Sequence, residues 1–277
     1  MKENTFIIPH LNYGDLRKSL EKLHKHTPPN FYVILVDQNE VYQQVDDLVD
    51  VHIRPNRNLG FAKACNWGIR LSDTPFVTLM NDDVEMLNVK WWDGIIETFK
   101  RYDKQALCVN PSSPRNPRAS GDIPVNHPGW DYKEEFTEEE YDKMVKEIGK
   151  GHIIDGICMW CPVFKREALD KVKGNIPGVW LDEVFWPGGG EDYDMNRRGY
   201  LTKNESNELR GYRCLGTGLS FSFHWWYSTV SPKTGKTGVK DAGTTYYDKW
   251  AVHGEGMPDI YGRTGKQEII MNTLREL

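Results

Sequence analysis

The chain has 277 residues, 39% hydrophobic and 12% aromatic, enough to bury one large α/β core or two intimately joined halves. Lys and Arg number 35 against 40 Asp and Glu, and the net charge of -5 argues against a nucleic-acid grip by overall charge, leaving only a local basic patch. No window reaches the apolar length that spans a bilayer.

The opening Met1-Lys2-Glu3-Asn4-Thr5 runs into a strand rather than a signal peptide, and the five scattered cysteines fit reduced thiols. Both features predict a soluble, cytoplasmic protein. Cys158-Met159-Trp160-Cys161 has the spacing of a metal or redox pair, but it sits in an apolar run without a second pair or a nearby His, so core filling is the better account.

Thr5 to Ile8 reads as a short buried strand, followed by a helix capped by Asp15, with Leu16, Leu20 and Leu23 on one face and Pro28-Pro29 ending it. Phe31 to Val36 is a second strand ending at Asp37, and Val51 to Arg54 a third. The loop Asn56 to Gly60 leads into a helix from Ala62 to Leu71, and a breaker, Ser72 to Pro75, precedes a strand ending at Asn81. Such alternation predicts a mostly parallel sheet in a three-layer α/β/α sandwich, with ligands at the carboxyl ends of the strands.

Residues 111–130, rich in turn formers, read as a long surface loop and a lid or acceptor-facing segment. Thr137 and Glu140 form a capping box for a helix to about Ile148. Ile153 to Phe164 reads as one buried strand, followed by a helix from Arg166 to Val172. Thr229 to Gly243 reads as a mobile loop that orders over bound ligand, and Gln267 to Leu277 as an amphipathic helix.

Three clusters carry chemistry. Asn81-Asp82-Asp83 sets carboxylates at a strand end, where a divalent metal can be held against a diphosphate by oxygen ligands. Gly188-Gly189-Gly190 precedes Glu191-Asp192-Tyr193-Asp194 and Arg197-Arg198 at a helix start; a carboxylate there can take a proton from a sugar hydroxyl, with an arginine balancing the local field or the diphosphate. Leu219 to Trp225 alternates with period two, placing Ser220, Ser222 and His224 on a polar face; an imidazole there suits Mn²⁺ or Mg²⁺. Neither a G-x-G-x-x-G after the first strand nor a complete P-loop around Gly235-Lys236-Thr237 is present, which weakens dehydrogenase and kinase readings.

In order and spacing these clusters resemble the family 2 glycosyltransferases with a GT-A fold, particularly rhamnosyltransferase-like members. The resemblance runs from Ile7-Ile8-Pro9-His10-Leu11-Asn12 through Val36-Asp37, Asn58-Leu59-Gly60-Phe61-Ala62, Asn66-Trp67-Gly68 and Asn81-Asp82-Asp83-Val84. It continues through Asp155-Gly156, Arg166-Glu167-Ala168-Leu169 and Leu181 to Trp186, ending at Glu191-Asp192-Tyr193-Asp194 and His224.

The resemblance implies a donor-binding set of Pro9, Asn12, Asp37, Asn58, Gly60, Lys63, Asn81 and Asp82, in which Asp37 contacts the base. Asp83 and His224 would bind the metal, Mn²⁺ or Mg²⁺. Asn81 replaces the first D-x-D carboxylate and removes a negative charge, which predicts modest metal affinity. Cys65 stands where many relatives have arginine, leaving Lys63 for phosphate charge. The implied reaction is inverting transfer from a nucleoside diphosphate sugar, with Asp192 as base and Glu191 as runner-up.

Trp130, Trp180, Trp186 and Trp226 are acceptor-side candidates, Trp186 and Trp226 foremost, and the acceptor itself is open among a glycan, a lipid-linked saccharide, a protein or a modified nucleic-acid base. Residues 1–110 form the expected donor half and 111–232 the acceptor and catalytic half of one GT-A domain, with 233–277 a C-terminal extension. Two rivals remain at this point: a nucleotidyltransferase or sugar-phosphate hydrolase on a similar sheet, and a non-catalytic carbohydrate-binding module drawing on the ten tryptophans.

Overall fold

A computed structural model describes residues 2–11, 15–115, 126–131, 133–148, 153–155, 159–173, 176–185, 188–202 and 211–225. The first half alternates as the sequence predicts: β1 (Asn4–His10), α1 (Leu16–His26), β2 (Phe31–Asp37), β3 (Val51–Ile53), α2 (Phe61–Arg70) and β4 (Phe76–Leu79). These strands pair in parallel in the order β3-β2-β1-β4. Their carboxyl ends therefore share one edge of the sheet, where His10, Asp37 and Asn81 to Asp83 gather.

Period-two alternation divides the core into two layers. Phe6, Ile8, Val33 and Leu35 face Leu16, Leu20 and Leu23 of α1 and Trp91, Ile95 and Phe99 of α3 (Trp91–Arg101). Ile7, Ile34, Val36 and Leu79 face α2, α5 (Arg166–Val172) and α6 (Glu191–Leu201) through Cys65, Ile69, Leu169 and Met195. The result is a three-layer α/β/α sandwich. Asp15 precedes α1 without capping it through its side chain; its carbonyl instead accepts the Ser19 N–H at 3.3 Å.

Beyond β4 the helices follow the sequence expectations but several strands depart from them. A short β5 (Val84–Met86) turns back immediately after Asp83 and pairs antiparallel with β10 (Arg213–His224). The run at 111–130 is not wholly loop: β6 (Ala106–Arg115) continues through it and pairs with β7 (Asn126–Asp131), while 116–125 lie outside the described residues. Prolines 111 and 114 cannot donate to a ladder, and the neighbouring Ser112 hydroxyl supplies a donor instead. Ser112 Oγ donates to the Thr217 carbonyl at 2.9 Å, and Asn110 Oδ1 accepts the Cys161 N–H at 3.1 Å.

The apolar run 153–164 is likewise two strands rather than one. β8 (Ile153–Asp155) pairs with β10, whereas β9 (Val163–Lys165) runs antiparallel between β4 and β6. A continuous apolar run carries no periodicity that reveals such a change of partner. The polar face of β10 is also not solvated, since Ser220, Ser222 and His224 are all buried beside Phe221 and Phe223. The Thr137–Glu140 capping box forms at α4 (Glu138–Ile148), with N–H to oxygen distances of 3.2 Å in both directions. Both tail expectations, 229–243 and 267–277, fall outside the described residues, and among the described residues no helix is long and apolar enough to cross a membrane.

α3 lies so close to β10 that a Cβ on Gly94 would sit 2.0 Å from the Leu219 carbonyl oxygen, a backbone atom with little freedom to yield. Gly94→Ala is accordingly expected to cost at least the roughly 1–3 kcal/mol of core overpacking, read as a lower urea midpoint at unchanged slope. Parental stability in that variant would show that α3 can slide on the sheet.

Candidate active site

The site grows from the carboxyl ends of β1, β2 and β4. His10 ends β1 fully buried; its Nδ1 lies 2.8 Å from Asp82 Oδ2, and its Nε2 4.0 Å from Asp37 Oδ1. This histidine bridges the acidic turn and the aspartate that ends β2. No role was predicted for it, although its place in Pro9-His10-Leu11 at a strand end was the available signal.

Asp37 is fully buried yet richly compensated, as a buried carboxylate must be. His52 Nε2 and Arg54 Nε stand 3.4 and 3.3 Å from its Oδ2, and Asn39 N–H donates to Oδ1 at 3.1 Å. Tyr42 stacks on His52 with ring centroids 5.9 Å apart and lies beneath the Arg54 guanidinium, so a cationic and aromatic wall flanks Asp37. None of these four neighbours was anticipated from sequence, because their convergence depends on how β2, β3 and the intervening loop pack.

The turn after β4 brings Asn81 and Asp83 to the end of β10. His224 Nε2 lies 3.0 Å from Asp83 Oδ1 and 3.3 Å from Asn81 Nδ2. One nitrogen cannot be both donor to the carboxylate and acceptor from the amide, so the tautomer chooses between them. Trp160 stacks flat on the imidazole, with centroids 5.3 Å apart at 7°, and its carbonyl accepts the Asn81 N–H at 2.9 Å.

A third locus adjoins α2. Asn58 Oδ1 accepts the Gly60 N–H at 2.8 Å, and Gln38 Oε1 accepts the Leu59 N–H at 2.7 Å, tying this loop to the end of β2. Gly60 takes φ 78°, and Gly189 and Gly190 take φ 104° and 99°, a region that L side chains avoid. A Cβ on Gly188 would come within 3.5 Å of Phe61, so the glycine loop before α6 rests on the first residue of α2.

The acidic residues at the start of α6 are not equivalent. Asp194 is buried and accepts Arg198 Nε at 2.8 Å, and that guanidinium also donates to the carbonyls of Val172 and Trp180. Arg198 is thereby committed to the fold rather than to balancing charge on a diphosphate. Glu191 accepts the Gly189 N–H at 2.6 Å; burial and then the Asp192 charge push its carboxyl up to about 7. Asp192 keeps part of its residue surface exposed, but burial of its carboxyl raises it to about 6. Two neighbouring carboxyls that titrate near neutrality fit proton transfer better than a solvated helix start does.

Of the remaining candidates, Pro9 is buried in β1 opposite Val36. Lys63 is partly exposed and pairs with Glu183 at 3.5 Å. Asn66, on the same helix, holds the 180–183 segment by accepting the Trp180 and Leu181 N–H groups at 3.0 Å and donating to Glu183 at 3.1 Å. Asn12, Trp186 and Trp226 lie outside the described residues, as does Cys158, while Cys161 is a buried free thiol.

A curled, mostly parallel sheet with an acidic turn at the switch from β4 to β5 is the architecture of a GT-A glycosyltransferase. Residues 5–173, more than half of the chain, match the model for glycosyl transferase family 2, and the chain belongs to that family. No curated protein matches it.

Similar solved structures include GalNAc-T7 with UDP, GalNAc and Mn²⁺, at TM-score 0.60 and 15% identity, over 90% of this chain and 48% of that one. The mannosyltransferase PcManGT from Pyrobaculum calidifontis, in complex with GDP-Man and Mn²⁺, aligns at TM-score 0.58 and 13% identity over 99% of this chain and 73% of its own. TarS 1-349 of S. aureus aligns at 0.51 and 12%, over 78% and 60%. This chain thus spans about half the length of the GalNAc-T7 chain, and at these identities the likeness is one of fold.

Proposed function

We propose that this protein is a metal-dependent inverting glycosyltransferase that moves a sugar from a nucleoside diphosphate sugar to an acceptor hydroxyl. The observation that carries the reading is the pairing of Asp83 Oδ1 and His224 Nε2 at 3.0 Å, beside the buried His10–Asp82 contact at the same sheet edge. Carboxylate and imidazole are ligands that Mn²⁺ and Mg²⁺ accept. Among the described residues no set of three or more His, Cys, Asp or Glu could hold a metal. A two-residue site needs oxygen from elsewhere, and a donor diphosphate has it to give.

The residues therefore fit a divalent ion held by Asp83 and His224, with Asn81 alongside. When bound, such an ion supplies electrostatic stabilisation of the negative charge on the leaving diphosphate. Asp37 and its basic neighbours face the base, and Asn81 and Asp82 the ribose and phosphates. Asp192 takes the proton of the acceptor hydroxyl, whose oxygen bonds to the anomeric carbon as the bond to the diphosphate breaks, inverting that centre. The Mn²⁺ ions in the GalNAc-T7 and PcManGT structures support this reading, as do their UDP and GDP-Man. Residues 1–110 are assigned to the donor, 111–232 to acceptor and chemistry, and the cytoplasm remains the assigned location.

Thermal shift against a panel of nucleoside diphosphate sugars, with and without Mn²⁺, tests the proposal. A true donor at ~100 times its dissociation constant should add about 2.7 kcal/mol of stability, and only with the metal. Incubation with that donor should then release nucleoside diphosphate. Release of sugar 1-phosphate, with the nucleotidyl group passed to added pyrophosphate, would instead mark a nucleotidyltransferase, and sugar binding without any turnover a carbohydrate-binding module.

A further inference from the structure

Glu85 has no part in the chemistry above, yet it is a fully buried carboxylate on β5, two residues beyond Asp83. Lys22 Nζ lies 2.6 Å from its Oε2 and Lys18 Nζ 3.5 Å from its Oε1, which also accepts the Trp225 indole N–H at 2.8 Å. Burying an ion pair is weak evidence for stability, because apolar residues of similar volume often do as well. What this one provides is a rigid acceptor at a chosen place.

Trp225 is gripped at two points. Its backbone N–H donates to the Asp83 carbonyl at 3.1 Å, extending a ladder in which Val84 faces His224 and Glu85 faces Phe223. Its indole is hooked on Glu85 and packs edge-on against Phe223, with centroids 4.9 Å apart. His224 sits between Phe223 and Trp225, so the grip fixes its backbone in register opposite the acidic turn. Its ring is held on one face by Trp160.

We propose that Glu85 and Trp225 are positioning residues that lock His224 against Asp83 and thereby set the affinity of this pair for a divalent cation. This rests on the metal reading of the preceding subsection. A two-residue site tolerates little looseness, because neither ligand can be replaced by a third protein donor when the other drifts.

The full chain would be titrated with Mn²⁺ in the presence of UDP or GDP, the free ion being followed by its electron paramagnetic resonance signal. Trp225→Phe keeps an aromatic ring, though a smaller one, and loses the N–H, and is expected to weaken Mn²⁺ binding about tenfold, the order of one hydrogen bond to a charged group. In Glu85→Gln the amide oxygen still accepts the indole, so the weakening should be smaller but present. Thr98→Val serves as the comparison for stability alone. It removes the 2.8 Å Thr98–Thr217 hydrogen bond between α3 and β10, away from the site, and should lower Tm with Mn²⁺ affinity intact.

Asp83→Ala separates the two levels. Parental Mn²⁺ binding in that variant removes the metal site itself. Loss of binding in Asp83→Ala with parental affinity in both Trp225→Phe and Glu85→Gln overturns the positioning role alone. If Trp225→Phe does not fold, Glu85→Gln decides by itself, parental affinity counting against the proposal. Equal weakening in Thr98→Val and Trp225→Phe also overturns it, by reducing the effect to general destabilisation.

Discussion

Asp192→Asn is expected to lower turnover by about 10² or more while leaving donor affinity nearly unchanged, because it keeps the shape of the side chain and removes only its capacity to take a proton. In the parent, the Asp192 carboxyl is raised to about 6 by burial, so kcat/KM should fall as pH drops through that region and the base becomes protonated. The same shift has a second consequence for stability. A carboxyl raised in the folded state binds protons more tightly there than in the unfolded chain, so the fold loses stability as pH rises from the ordinary carboxylate range through about 6.

Asn at this position does not titrate, and the variant should be at least as stable as the parent above neutrality while being far less active. Melting temperature and turnover measured together at pH 8 check this. Glu191→Gln is the necessary partner, since Glu191 is raised further, to about 7, but already accepts the Gly189 N–H and lies on the buried side of the helix start. Inactive Glu191→Gln beside fully active Asp192→Asn would transfer the base to Glu191. Full activity in both would end the catalytic reading of this turn.

Much of this site is legible in the sequence, for identifiable reasons. β1, β2, α2 and β4 announce themselves through local periodicity, and Asp37 and the Asn81 to Asp83 turn follow directly where the apolar runs stop. The start of α6 was equally plain, because three glycines before a run of acids mark a backbone turn and a helix beginning. What escaped depends on partners distant in sequence. His10 gains meaning only through Asp82, and the inward turn of Asp194 only through Arg198 and the carbonyls of Val172 and Trp180. β6 hid behind prolines because a donor they cannot supply to the ladder comes instead from the side chain of Ser112. The division of 153–164 into β8 and β9 hid for a related reason: hydrophobicity records burial, not which neighbour does the burying.

The proposed metal pair gives the other large effect. Asp83→Ala should abolish the Mn²⁺-dependent part of nucleoside diphosphate binding, and His224→Ala should weaken it by ~10²-fold or more, since even outer-shell partners of a metal cost 10 to 100-fold when removed. Calorimetric titration of UDP and GDP, with Mn²⁺ and with chelator, separates this loss from any loss of direct nucleotide contact. Asn81→Asp supplies the opposite sign. Asn81 Nδ2 already stands 3.3 Å from His224 Nε2, so a carboxylate there would face the imidazole beside Asp83 and turn a two-residue donor set into three. Mn²⁺ should then bind more tightly than to the parent, with less dependence on the nucleotide's own oxygens. The gain would show that the amide is what keeps the parental affinity modest and the ion shared with the donor. Unchanged nucleotide affinity in Mn²⁺ for both Asp83→Ala and His224→Ala would remove the site, and Asn81→Asp without any gain would mean that residue 81 faces the ribose alone.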